Sequence, residues 1–156
     1  MINNDVLRSI RYMLDLSDLK VIEITKLMDA DFKIEKSDLL AFIKKEGETG
    51  FVECNDRMLA HFLDGLVIYR RGRNADVPPR KVEPRVTNNV VLKKLRVAFE
   101  LKDVDMHKVF ADAGFPVSKP ELSALFQQPG HKNYRPCGDQ LLRNFLKGLT
   151  LHLRPS

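Results

Sequence analysis

The sequence predicts an all-α protein built from two tandem four-helix repeats that pack together in a pseudo-two-fold arrangement. Three observations predict it. The second half of the chain restates the first, apolar residues recur at helical spacing in each copy, and no segment keeps strand-like alternation for more than a few residues.

The repeat is read directly from identities held in order. Asn3-Asn4-Asp5-Val6-Leu7-Arg8-Ser9-Ile10-Arg11 lies over Asn88-Asn89-Val90-Val91-Leu92-Lys93-Lys94-Leu95-Arg96 at an offset of 85, which Leu16/Leu101 and Asp18/Asp103 keep. Two residues are then lost, and Asp29-Ala30-Asp31-Phe32 meets Asp112-Ala113-Gly114-Phe115 at an offset of 83. Gly47, Cys54, Asp56, Leu59, Phe62, Leu63, Gly65 and Leu66 keep that offset with Gly130, Cys137, Asp139, Leu142, Phe145, Leu146, Gly148 and Leu149. Composition alone does not order so many identities with one small gap.

Each copy divides into four short helices. An asparagine cap at Asn3 or Asn4 opens the first, with Val6, Leu7, Ile10 and Leu14 on one face. The second begins near Ser17-Asp18 and carries Val21, Ile24, Leu27 and Met28. Ser37 caps the third and Gly47 stops it; in copy two, Ser118-Lys119-Pro120-Glu121 forms a capping box with proline in the tolerated first turn. The fourth begins near Asp56, and its stripe Met58, Leu59, Phe62, Leu63, Leu66 recurs as Leu141, Leu142, Phe145, Leu146, Leu149.

The domain reading is therefore repeat 1 over 1–69, a linker over 70–87 and repeat 2 over 88–156. Three prolines and a glycine in the linker forbid a continuous helix, so extended chain is expected there. A four-helix unit of this size buries little core alone, which is why the copies are expected to pack on one another.

Charge is unevenly placed. Residues 1–69 hold 9 Lys+Arg against 13 Asp+Glu, residues 70–87 hold 6 against 2, and residues 88–156 hold 11 against 6. The basic part thus predicts an anionic partner, nucleic acid or another polyanion. Candidate contacts are Arg70, Arg71, Arg73, Arg80, Lys81 and Arg85 in the linker, extended by Lys93, Lys94 and Arg96 in copy two. The linker lacks aromatic residues for base stacking, so backbone phosphate is the expected target. The alternative is a protein–protein adaptor whose acidic and basic copies engage separate partners, or each other's copies in a homodimer.

Other constellations carry less. A Cys-x-Asp pair opens the fourth helix twice, at Cys54/Asp56 and Cys137/Asp139. A thiol beside a helix N-terminus can be activated, but a nucleophile needs a base, and His61 is Asn144 in copy two. An aspartate cap with a cysteine filling an apolar gap is the plainer reading. Gly65 and Gly148 inside the fourth helix point to a close helix crossing ahead of a ligand pressed on the backbone. Helices two and three imitate a helix-turn-helix, but their turn is long and the second helix of the pair lacks a basic face.

Catalytic residues, metal ligands and cofactors are not expected: there is no phosphate-binding glycine loop, dinucleotide motif, metal-ligand spacing or nucleophile elbow. With 44% hydrophobic residues the chain can build a core, and its longest apolar run is far short of the roughly 20 residues a bilayer requires. A cytoplasmic, non-membrane protein with two free thiols is expected.

The doubled pattern NN-x-V-L with G-x6-C-x-D-x2-L-x2-F-L-x-G-L resembles the bacterial family of unknown function that includes enterobacterial YehS. The resemblance covers the whole chain, both repeats included. It implies a small cytosolic bacterial protein and brings no catalytic or binding residues with it.

Overall fold

The computed structural model describes residues 1–73 and 81–154. Their order is α1 Asn3–Met13, α2 Asp18–Thr25, α3 Lys36–Phe42, α4 Asp56–Arg71, then α5 Asn88–Ala98, α6 Asp103–Asp112, α7 Lys119–Leu125 and α8 Asp139–Leu153. The described residues form eight helices and no strand, and they divide into two compact units, Met1–Val86 and Thr87–Ser156, each with four helices. None of the helices is long and apolar enough to cross a membrane.

In the first unit the core is a stack of side chains from all four helices: Leu7, Ile10, Met13, Val21, Ile24, Leu39, Leu59, Phe62, Leu63 and Leu66 are essentially excluded from solvent. The second unit repeats it with Leu92, Leu95, Met106, Val109, Phe110, Leu122, Leu142, Phe145 and Leu149, and Phe110 meets Phe145 with ring centroids 5.3 Å apart. The dominant packing in both is the second helix of the unit against the fourth, α2 on α4 and α6 on α8.

That packing depends on a missing side chain. A Cβ on Gly65 would meet the Ile24 carbonyl oxygen at 1.9 Å, and one on Gly148 the Val109 carbonyl oxygen at 2.1 Å. The helix glycines therefore mark close crossings, as the sequence suggests.

The turn from first to second helix is also made identically twice. Leu16 N–H reaches back to the Arg11 carbonyl and Asp15 N–H to that of Tyr12; Leu101 and Glu100 do the same with Arg96 and Val97. This is a Schellman ending, whose left-handed residue is usually glycine. Here it is acidic, with φ +52° at Asp15 and +53° at Glu100.

Three local expectations are corrected. The first helices are capped by Ile2 and Thr87, and both asparagines of each pair lie inside the first turn. Asp5 carries part of the capping role in copy one, accepting from the Ile2 N–H at 2.9 Å. The third helix of copy one is capped at Glu35, not Ser37, because the Asp38 carboxylate accepts the Glu35 N–H at 2.8 Å. It ends at Phe42, well before Gly47, because side chains and loop backbone take its last carbonyls. Val52 N–H bonds that of Ala41 and the Asn4 amide that of Phe42. The capping box at Ser118 and Glu121 is present as expected.

Candidate functional site

The most specific repeated motif is an anchor within the fold. The Asn4 side chain is 1% exposed and makes three hydrogen bonds. Its Nδ2 donates to the carbonyls of Phe42 at 2.9 Å and Val52 at 2.8 Å, and its Oδ1 accepts from the Cys54 N–H at 2.8 Å. Asn89 repeats the set with Leu125, Arg135 and Cys137 at 3.0, 3.0 and 2.8 Å. Asn3 Nδ2 donates to the Cys54 carbonyl and to Asp56 Oδ1; Asn88 donates to the Cys137 carbonyl and Asp139 Oδ1. One carboxamide saturates both a helix end and a loop that has no ladder of its own, as buried backbone groups require. The amides of the paired asparagines are thus engaged within the fold, with Asn4 buried and Asn3, Asn88 and Asn89 half-buried.

The aspartates of the Cys-x-Asp pairs are not the helix caps that the sequence pattern predicts. Asn55 caps α4, accepting from Met58 N–H at 2.8 Å, and Gly138 stands at the cap of α8. Asp56 instead holds Asn3 through one oxygen and the Val86 N–H, at 3.1 Å, through the other. The end of the linker is thereby fixed to the start of α4.

Both cysteines are free and buried. Burial, reinforced by the neighbouring Asp56 carboxylate, pushes the Cys54 thiol up to about 12. Burial and Asp139 push Cys137 up to about 11. A nucleophilic cysteine requires the opposite shift, so neither thiol is suited to nucleophilic chemistry. His61, the nearest histidine in the motif, stacks on Phe32 at 4.2 Å and spends Nδ1 on the Arg57 carbonyl at 2.7 Å. Among the described residues no group of three or more His, Cys, Asp or Glu is placed to hold a metal ion.

The predicted basic residues fall in three settings. Arg70 and Arg71 occupy the last turn of α4 and are exposed; there their charge also complements the negative end of the helix dipole. Gly72 ends the helix with φ +79° and ψ 169°, a conformation open to glycine, and the Arg73 guanidinium donates to the Leu27 carbonyl. Arg80 lies outside the described residues. Lys81 and Arg85 are exposed in the segment that Val86 ties to Asp56.

In the second unit Lys93 is exposed and Lys94 half-buried on α5. Arg96 is different. It bonds Asp103 at 2.5 Å and the Leu101 carbonyl at 3.0 Å, and its guanidinium lies 4.7 Å from the Phe126 ring centre. Arg11 makes the equivalent bond to Asp18 at 2.8 Å in the acidic copy. The position therefore holds the first-to-second-helix turn in both copies, whatever the charge of the copy.

The helix-turn-helix likeness weakens further. Residues 26–35 separate α2 from α3, and α3 and α7 are each 7 residues long. Sequence reasoning missed a basic outer face on α8, where Arg143 and Lys147 are exposed one turn apart. Its signal is the loss of every acidic residue from that helix after Asp139.

The family model described as a protein of unknown function (DUF1456) matches residues 3–72 and again 88–154. The chain belongs to this family. Its two matches coincide with the two four-helix repeats. The chain is also 42% identical over 150 residues to the uncharacterized protein YehS of Escherichia coli (strain K12), covering 96% of this chain and 95% of that protein. No solved structure matches.

Proposed function

We propose that this is a non-enzymatic, cytoplasmic binding protein whose ligand is a nucleic acid or another polyanion. The observation that carries the reading is how the second unit uses its charges. Most of its acidic side chains accept hydrogen bonds or form ion pairs within the unit: Asp103 with Arg96, Asp105 with the Lys102 N–H, Asp112 with His152 and Lys108, Glu121 with the Ser118 N–H and Arg135, Asp139 with Asn88. Lys93, Lys102, Lys119, Lys132, Arg143 and Lys147 are meanwhile exposed. With 11 Lys+Arg against 6 Asp+Glu over residues 88–156, these exposed cations give the surface of the unit a positive potential. Arg70, Arg71, Lys81 and Arg85 are exposed cations of the other unit.

The test is fluorescence anisotropy of labelled single-stranded DNA, duplex DNA and RNA, titrated with the full chain at low and near-physiological salt. Binding is expected to fall steeply with salt, and to weaken when Arg70 and Arg71 are changed to glutamate. Absence of binding at low salt overturns the reading.

One observation favours a protein–protein adaptor as the second reading. Leu19 and Val104 occupy equivalent positions at the start of the second helix of each unit, and both are 71% exposed. An apolar residue left in solvent twice is a candidate docking point for a partner protein, and such docking depends little on salt.

A further inference from the structure

The duplication supplies an internal control. A side chain that the repeat needs for folding should be kept or conservatively replaced in both copies, whereas a side chain serving a ligand is free to appear in one. On the fourth helix the two copies diverge most sharply on one face. In α4 every residue from Met58 to Leu66 is buried, including Ala60 at 3% and Asp64 at 7% exposure. The positions in α8 equivalent to Ala60 and Asp64 are Arg143 and Lys147, both exposed. The opposite face has not changed: Leu142, Phe145, Leu146 and Leu149 stand in the core as Leu59, Phe62, Leu63 and Leu66 do.

We infer that the outer face of α8 is a contact surface for the phosphate backbone of nucleic acid, with Arg143 and Lys147 as its charged contacts and the Gln140 and Asn144 side chains flanking them. This assignment rests on the polyanion reading and places it on residues of one helix.

Arg143 and Lys147 are four residues apart, so they project from the same face about 6 Å apart along the axis. After Asp139 the helix contains no acidic residue, and Asp139 itself bonds Asn88 and interacts electrostatically with Arg143. Nothing on α8 beyond its first residue therefore offsets the two cations. Arginine and lysine set the electrostatic attraction to phosphates, and neutral amides beside them suit sugar and phosphate oxygens. Gln140 is exposed, and Asn144 Nδ2 donates to the Gln140 carbonyl at 2.9 Å with one of its two hydrogens, which leaves the other to donate to a phosphate oxygen. A membrane surface is the poorer match. An interfacial helix needs a broad apolar face to insert, and the apolar stripe of α8 is already in the core.

The experiment compares wild type, the double variant Arg143→Gln/Lys147→Gln, the charge-keeping Arg143→Lys/Lys147→Arg, and Arg70→Gln/Arg71→Gln. Each full-length chain is titrated into a short fluorescein-labelled duplex DNA across a range of salt, after thermal melts establish that it folds like wild type. Removing two phosphate contacts should lower the slope of log K against log salt by about 1.8, with a clear loss of affinity, and the charge-keeping variant should bind as wild type does. If the wild type binds and the α8 double variant binds with unchanged affinity and slope, the α8 assignment is wrong while the polyanion reading stands. If the wild type does not bind the duplex, single-stranded DNA or RNA at low salt, both fail. Should the double variant misfold, Lys147→Gln alone replaces it: a slope change of about 0.9 supports the α8 assignment, and an unchanged slope overturns it.

Discussion

A Cβ atom on Gly65 would stand 1.9 Å from the carbonyl oxygen of Ile24, and the same relation recurs between Gly148 and Val109 at 2.1 Å. The obstructing atom is backbone, so no rotamer change relieves it. Gly65→Ala and Gly148→Ala should each force the crossing helices apart. The intrinsic helix gain of about 1 kcal/mol from alanine is then outweighed by overpacking of roughly 3 kcal/mol or more. Urea unfolding at fixed pH measures the balance. A neutral or stabilising result in either copy would refute the close-crossing account.

The asparagine anchor makes a second prediction. Asn4→Ala removes three hydrogen bonds and strands the Phe42 and Val52 carbonyls and the Cys54 N–H around a fully enclosed side chain. At about 1–3 kcal/mol for each of the three buried groups left unsatisfied, a loss of roughly 3 kcal/mol or more is expected. Asn89→Ala should cost less, because Asn89 is half-buried and water can replace part of its network. Equilibrium unfolding of the two variants side by side checks both the size and the order. Asn4→Asp keeps the shape but loses both donated bonds, so it should not rescue the first variant.

How far these features are legible in the sequence differs by kind. The helices and their apolar faces are readable because period and identity agree twice, and Gly65 with Gly148 stand out as glycines surrounded by Leu and Phe. The anchor is not, since asparagine at a helix start reads as a cap, and its real partners lie 38–50 residues away. The early end of α3 is hidden for the same reason: the residue that terminates it is Asn4. Arg96 reads as surface charge in the sequence, and only the fold brings it to Leu101 and Asp103. The α8 face leaves only a faint sequence signal, the absence of acidic residues after Asp139, and its divergence from α4 shows when equivalent positions are compared by burial.

The cap position of α8 offers a stabilising change. Gly138 has φ −70° and ψ 161°, angles ordinary for any residue, and an added Cβ would meet nothing within 4 Å. Its equivalent Asn55 caps α4 through Met58 N–H. Gly138→Asn should therefore supply the missing cap bond and reduce the freedom of the unfolded chain, for a gain of about 0.5–1 kcal/mol. A rise in Tm of the full chain confirms it, and a fall shows that the cap geometry of α8 differs from that of α4.

The thiols give a pH-dependent prediction whose sign follows from which form is buried. The neutral, protonated thiol is the form the fold accommodates, so the folded pKa values, about 12 for Cys54 and about 11 for Cys137, lie above the ordinary value of 9.0. The stability associated with each is fully present below pH 9 and is lost as pH rises through 9 toward the folded value, because the unfolded chain releases its protons first. Native protein should therefore react slowly with a thiol reagent near neutral pH, with Cys137 modified before Cys54 as pH is raised. Stability from urea unfolding should decline above pH 9, and a variant with both thiols replaced by alanine, although less stable at neutral pH, should show a smaller alkaline decline. Fast alkylation of native protein at neutral pH would contradict the burial argument and mark the cysteines as reactive groups.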